Sequence, residues 1–112
     1  MAENHEQELK ALRERIETIG EYLHIDRERV ELAALEKKSA EPGFWDDQQQ
    51  AQSVMSQAAG LRDEISEYDS AVEALGDAEV ANEFAVEEDD ADMEAEVLAS
   101  IASLTKRADA ME

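Results

Sequence analysis

Between Ala51 and Leu75 the apolar or semi-apolar residues fall at Ala51, Val54, Ala58, Leu61, Ile65, Tyr68, Val72 and Leu75, an unbroken alternation of three- and four-residue steps. That period puts all of them on one stripe of an α-helix, the seam of a coiled coil. Gln52, Gln57, Arg62, Asp63, Glu64, Glu67, Asp69 and Glu73 fill the positions between, so the rest of the surface suits water. A helix of about 29 residues starting at Asp47 would run roughly 44 Å. It cannot bury its own stripe, so other parts of the chain must supply the partner surfaces.

Two further segments carry the same pattern. Leu9, Leu12, Ile16, Ile19 and Leu23 make a seam on a helix expected from about Glu3 to Tyr22, and Val97, Ile101, Leu104, Ala108 and Met111 make another near the end of the chain. Leu23-His24-Ile25-Asp26 breaks the phase of the first seam, so a bend is expected near His24, with Asp26 capping a new run. Val30, Ala33, Ala34 and Leu35 then continue an apolar face towards Lys37 and Lys38, which suit the negative end of a helix dipole.

Ser39-Ala40-Glu41-Pro42-Gly43 stops that helix, because proline disfavours helical geometry in the residue before it and glycine accepts a turn. Phe44 and Trp45 follow, then Asp46 and Asp47, either of which can cap the long helix. Two large aromatics at a helix corner read as a plug over the end of a bundle, with an exposed docking site as the alternative. Gly76 is expected to end the long helix as its C-cap. Asp77 then caps a short extra helix from Ala78 to about Glu87, with Val80, Ala81, Phe84 and Ala85 on one side. The acidic run Glu87-Glu88-Asp89-Asp90-Ala91-Asp92 reads as a solvated loop leading into the first turn of the last helix. Ala108-Asp109-Ala110-Met111-Glu112 keeps the seam to the last residues without glycine or proline, so the chain is expected to be a segment of something longer.

Composition agrees with an all-α chain: aromatics are 4% and there is one proline. Thirty acidic against ten basic residues give a formal charge of -20, which repels phosphate backbones and anionic membranes. Direct nucleic-acid binding and membrane association are therefore not expected, and an electrostatic partner should be a basic protein. The absence of cysteine excludes disulfides and thiol chemistry and fits a reducing cytoplasm.

No residue set supports catalysis, a cofactor or a metal. An oxygen-ligand calcium loop begun at Asp90 fails, because its glycine position holds Ala95 and its twelfth position holds Ile101. His5 and His24 are nineteen residues apart; no glutamate stands three residues before His5, and the lone Glu21-x-x-His24 has no second ligand pair, so neither histidine is expected to be a ligand or base. The glycines at 20, 43, 60 and 76 form no phosphate-cradling loop.

From Leu23 onward the order of features resembles the N-terminal domain of the bacterial peptide chain release factor 2 family. Glu41-Pro42-Gly43-Phe44-Trp45-Asp46-Asp47 is similar to that family's Pro-x-(Phe/Val)-Trp-(Asn/Asp) corner, with Gly43 where an acidic residue is usual. Gln50-Ala51-Gln52 resembles the opening of its long helix, and Glu83-Phe84-Ala85-Val86-Glu87-Glu88-Asp89-Asp90 its short helix and acidic loop. The resemblance runs from about Ile16 to Glu112. It implies translation termination: in the intact family a Ser-Pro-Phe loop reads the stop codons UGA and UAA, and a Gly-Gly-Gln loop promotes hydrolysis of peptidyl-tRNA. Neither tripeptide occurs in these 112 residues. The implied role is that of the non-catalytic helical domain facing the ribosomal GTPase-associated region, with the stalk base and the class II release factor as partners and Glu87 to Asp92 as one candidate contact.

The expected architecture is a single domain, residues 1–112, folded as an antiparallel three-helix coiled-coil bundle. Its first helix bends near residue 24 and a short extra helix follows residue 76. The segment is expected to be monomeric or weakly self-associating. The rival readings are a free-standing coiled-coil adaptor, a metal-dependent hydrolase using the acidic run, and a release factor 1 or rescue homologue, against which the Trp45 corner argues.

Overall fold

The computed structural model describes residues 1–112 and is entirely helical. Helix α1 spans Glu6–Tyr22, α2 Ile25–Ser39, α3 Gln48–Glu88 and α4 Ala91–Met111, with a single 3₁₀ turn at Phe44–Asp46. The molecule is a rod of 65 × 22 × 18 Å. Its length is set by α3, whose 41 residues would extend about 60 Å at the α-helical rise.

The three seams meet where they were expected. Leu9, Leu12 and Ile16 of α1, Ala71, Leu75 and Ala78 of α3, and Val97 and Leu104 of α4 form one buried cluster. Fully burying a leucine or isoleucine here contributes about 1.5–3 kcal/mol, so this cluster fixes the packing of α1, α3 and α4. Towards the other end, Ile25 of α2 and Ala51, Val54, Ala58 and Ile65 of α3 are buried, while α4 does not touch α2 or the 3₁₀ turn. The rod is thus three helices thick at one end and two at the other.

The bend near residue 24 is a single left-handed residue. His24 adopts φ 57° and ψ 47°, with its N–H donating to the Glu21 carbonyl and its own carbonyl accepting from Glu28 N–H. Asp26 does not cap the new run; it lies in the first turn of α2, whose N-cap is His24. The face that α2 buries also differs from the expected one. Val30 is exposed, as are Ala33 and Ala34, whereas Ile25 and Glu28 are buried and Leu32 and Leu35 half-buried. The seam therefore runs 25, 28, 32, 35, and a glutamate occupies one of its positions.

Gly76 does not end the long helix. Helix α3 continues without interruption to Glu88, and the separate helix after residue 76 is its last three turns. A glycine inside a helix costs only about 1 kcal/mol. Ala78, Asn82 and Ala85 continue the buried stripe beyond it, and burial there outweighs the glycine. Of the four residues placed on one side of the extra helix, Ala85 is buried and Ala81 half-buried, whereas Val80 and Phe84 are exposed. The acidic loop shrinks accordingly, because Glu87 and Glu88 are helical. Asp89 adopts φ 50° at the C-cap of α3, and Asp90 caps α4 by accepting from Met93 N–H at 3.0 Å.

At the α2–α3 corner Gly43 takes φ 81°, a left-handed conformation that glycine adopts without a steric penalty. Asp47 is the N-cap of α3, accepting from Gln50 N–H at 3.1 Å. Phe44 and Trp45 stack edge to face with centroids 5.2 Å apart. They are not a plug: Phe44 is half-buried and Trp45 is 59% exposed. Only α2 and α3 reach this corner, so there is no three-helix end for the rings to cover.

Candidate functional site

The densest polar constellation lies at the opposite end of the rod, where the N-terminal segment meets the ends of α3 and α4. His5, the residue before α1, is only 5% exposed. Its backbone N–H donates to Asn82 Oδ1 at 3.0 Å, and Asn82 Nδ2 donates to Asn4 Oδ1 at 3.0 Å. Buried Asn82 thereby has both ends of its amide satisfied, which is what a polar group in a seam requires.

The imidazole of His5 lies between two carboxylates. Nδ1 is 3.0 Å from Glu8 Oε1, one helical turn along α1, and Nε2 is 3.0 Å from Glu94 Oε2 in the first turn of α4. The hydrogen bond to Glu8, followed by that to Glu94, raises the His5 pKa above its ordinary value against the opposing effect of burial. A protonated ring donates from both nitrogens and so satisfies both partners. Glu3 brings a third carboxylate to the same place, with one ligand atom each from Glu3, His5 and Glu94 lying within 4.8 Å of one another.

Sequence reasoning set His5 aside for want of a Glu-x-x-His pair. The pairing exists in the reverse order, His5-x-x-Glu8, and that spacing was a readable sign of a shared helical face. Its other partners, Asn82 and Glu94, are 77 and 89 residues away and had no local signal. His24 is exposed at the bend and joins no such cluster.

A second unexpected group is Glu28 in the α2 seam, 8% exposed, whose Oε2 has no hydrogen-bond partner. Burial, then the nearby Glu64 carboxyl and Glu31, raise its pKa. Elsewhere ion pairs lace the helices together: Arg13 with Glu79, Arg15 with Asp109 and Glu112, Arg29 with Asp69, and Arg107 with Glu67. The guanidinium of Arg29 holds Asp69 below the usual carboxylate range, and that of Arg13 does the same for Glu79.

The PCRF domain family matches residues 28–112, from the seam glutamate of α2 to the end of α4. Several curated proteins named peptide chain release factor 2 align along nearly the whole chain. That of Streptomyces avermitilis is 35% identical over 106 residues, covering 95% of this chain and 29% of its own length. That of Salinispora tropica is 38% identical over 109 residues, covering 97% of this chain and 29% of its own. The Exiguobacterium protein is 34% identical over 105 residues, covering 94% and 29%. The chain thus spans under a third of the length of these relatives. It belongs to the PCRF domain family, as the resemblance to the release factor 2 N-terminal domain implied.

Proposed function

We propose that this chain is the helical, non-catalytic domain of a translation termination factor of the release factor 2 type, working in the cytoplasm on the ribosome. The observation that carries this reading is the alignment of proteins named peptide chain release factor 2 along 94–97% of the chain. In a factor of the relatives' length, recognition of UGA and UAA and hydrolysis of peptidyl-tRNA fall to other parts of the molecule, through a Ser-Pro-Phe and a Gly-Gly-Gln loop. Residues 1–112 act as one rigid domain.

In finer detail the domain is an antiparallel three-helix coiled coil. The cross-helix pairs support this: His5 with Asn82, Arg13 with Glu79 and Gly20 beside Tyr68 descend along α3 as they ascend α1. His5 with Glu94 and Arg15 with Glu112 ascend together along α1 and α4. A rod of charge -20 suits a basic ribosomal protein and is repelled by nearby RNA and by anionic membranes, which orients it on the stalk base. The class II factor is a further partner, and the isolated domain is a monomer or associates weakly.

A release factor 2 carrying this chain in place of its own matching segment tests the reading. Photo-crosslinkers at Glu87 and Asp92 of that chimera, bound to termination complexes, are expected to capture the stalk-base protein. Crosslinks confined to ribosomal RNA or to another ribosomal site would remove the proposed position.

A further inference from the structure

The polar constellation at the three-helix end has the composition of a metal site. We propose that Glu3, His5 and Glu94 bind a divalent first-row transition-metal ion, Zn²⁺ foremost, with Glu8 as the residue that orients His5. Three observations on the geometry carry this.

First, the donor atoms are already gathered. Imidazole and carboxylate ligands sit about 2.0–2.2 Å from Zn²⁺, so two ligands of one tetrahedral ion lie about 3.3–3.6 Å apart. His5 Nε2 and Glu94 Oε2, 3.0 Å apart, need open by only a few tenths of an ångström, and the Glu3 atom completes a set within 4.8 Å. Glu3 is exposed and precedes α1, so its side chain is free to rotate inward by about an ångström.

Second, His5 is held as zinc-ligating histidines are held. Its far nitrogen, Nδ1, is fixed by a carboxylate at 3.0 Å, and Nε2 faces Glu94, where the incoming ion takes the place of the Nε2 proton, which is released to solvent. A metal-bound histidine almost always has such a partner on its other nitrogen. The residue is anchored from behind by its own backbone N–H on buried Asn82, and its ring is buried, so it gives up little freedom on binding.

Third, the charge balance favours a cation. α1 and α4 both begin here, and their N-terminal dipoles oppose positive charge. Three carboxylates within reach of one imidazole, on a chain of charge -20, outweigh them. The nitrogen donor selects Zn²⁺ over Ca²⁺ and Mg²⁺, which prefer oxygen ligands alone. Three protein ligands leave a fourth position for water. Since the ligands come from the N-terminal segment and the first turn of α4, the bound ion would tie these two segments together.

The test is calorimetric titration of Zn²⁺ into the 112-residue chain at about pH 7 in physiological salt, beside His5→Gln and Glu3→Gln, with Ca²⁺ as the parallel titrant. Glu3 is exposed, so its variant keeps the fold even if the His5 variant does not. The expected result is one saturable Zn²⁺ site, weakened at least tenfold in each variant, with no comparable Ca²⁺ site. Glu8→Gln should weaken Zn²⁺ by about tenfold, the usual effect of losing an orienting partner. The absence of a saturable site, a site unchanged in either ligand variant, or equal binding of Ca²⁺ overturns the proposal. An affinity unchanged by Glu8→Gln overturns the orienting role.

Discussion

Gly76→Ala separates a continuous α3 from an interrupted one by the sign of its effect. In the interior of a helix alanine is more favourable than glycine by about 0.8–1.0 kcal/mol. A Cβ built at Gly76 meets nothing within 4 Å, so no packing penalty reduces that gain. The variant should therefore be about 1 kcal/mol more stable, read as a higher urea midpoint by far-UV circular dichroism and a rise in Tm of roughly 4 °C. Were Gly76 a left-handed C-cap, alanine would cost about 1–2 kcal/mol instead. Gly20→Ala supplies the opposite control. A Cβ there falls 2.5 Å from the Tyr68 hydroxyl and 2.6 Å from its ring, so overpacking of about 1–3 kcal/mol offsets or exceeds the helical gain. A loss of stability in Gly76→Ala would refute the uninterrupted helix.

Trp45→Ala should cost under about 1 kcal/mol in a chemical melt, because the ring is 59% exposed; a loss of 3–5 kcal/mol would restore the plug. Leu75→Ala, at a fully buried position in the shared core, should cost about 2–5 kcal/mol and lower the melting temperature sharply. Glu28→Gln should stabilise by about 1 kcal/mol at neutral pH, since an amide can donate to Glu64 where the carboxylate cannot. The raised Glu28 pKa means that the folded state binds this proton more tightly than the unfolded chain, so its penalty is felt above the folded pKa and relieved as pH falls towards the unfolded value. The variant should lose that part of the pH dependence in parallel melts. Asp69 and Glu79 act in the opposite sense: their lowered pKa values give stability that is present above the unfolded carboxylate range and lost on acidification. Both pairs are partly exposed, so Asp69→Asn should remove only a few tenths of a kcal/mol, and only above that range.

The three long seams were legible because their heptad phase is clean. Leu9, Leu12 and Ile16, then Ala51 to Leu75, then Val97 to Met111 alternate steps of three and four, and the structure buries or half-buries all of these positions. A polar residue or a glycine in the stripe hides the phase elsewhere. Glu28 holds a seam position in α2, so the apolar face was assigned to Val30, Ala33 and Ala34, which are exposed. Gly76 was read by its local preference, yet the stripe through Ala78, Asn82 and Ala85 decides the helix, and Asn82 disguised that stripe as polar. The aromatic corner identified the family, but its packing depended on α4 not reaching it, a tertiary fact. His5 shows the same limit: Glu8 could be read from spacing, whereas Asn82 and Glu94 are brought to it by the fold.

The central claim is that this rod serves as the helical domain of a release factor. Its most direct test is a bacterial strain whose sole release factor 2 carries this chain in place of its own matching segment, assayed for readthrough of UGA beside the intact parent and a version lacking the segment. The account predicts readthrough close to that of the parent and below that of the deletion. Readthrough as high as in the deletion, with the chimera folded and present at equal abundance, would contradict it.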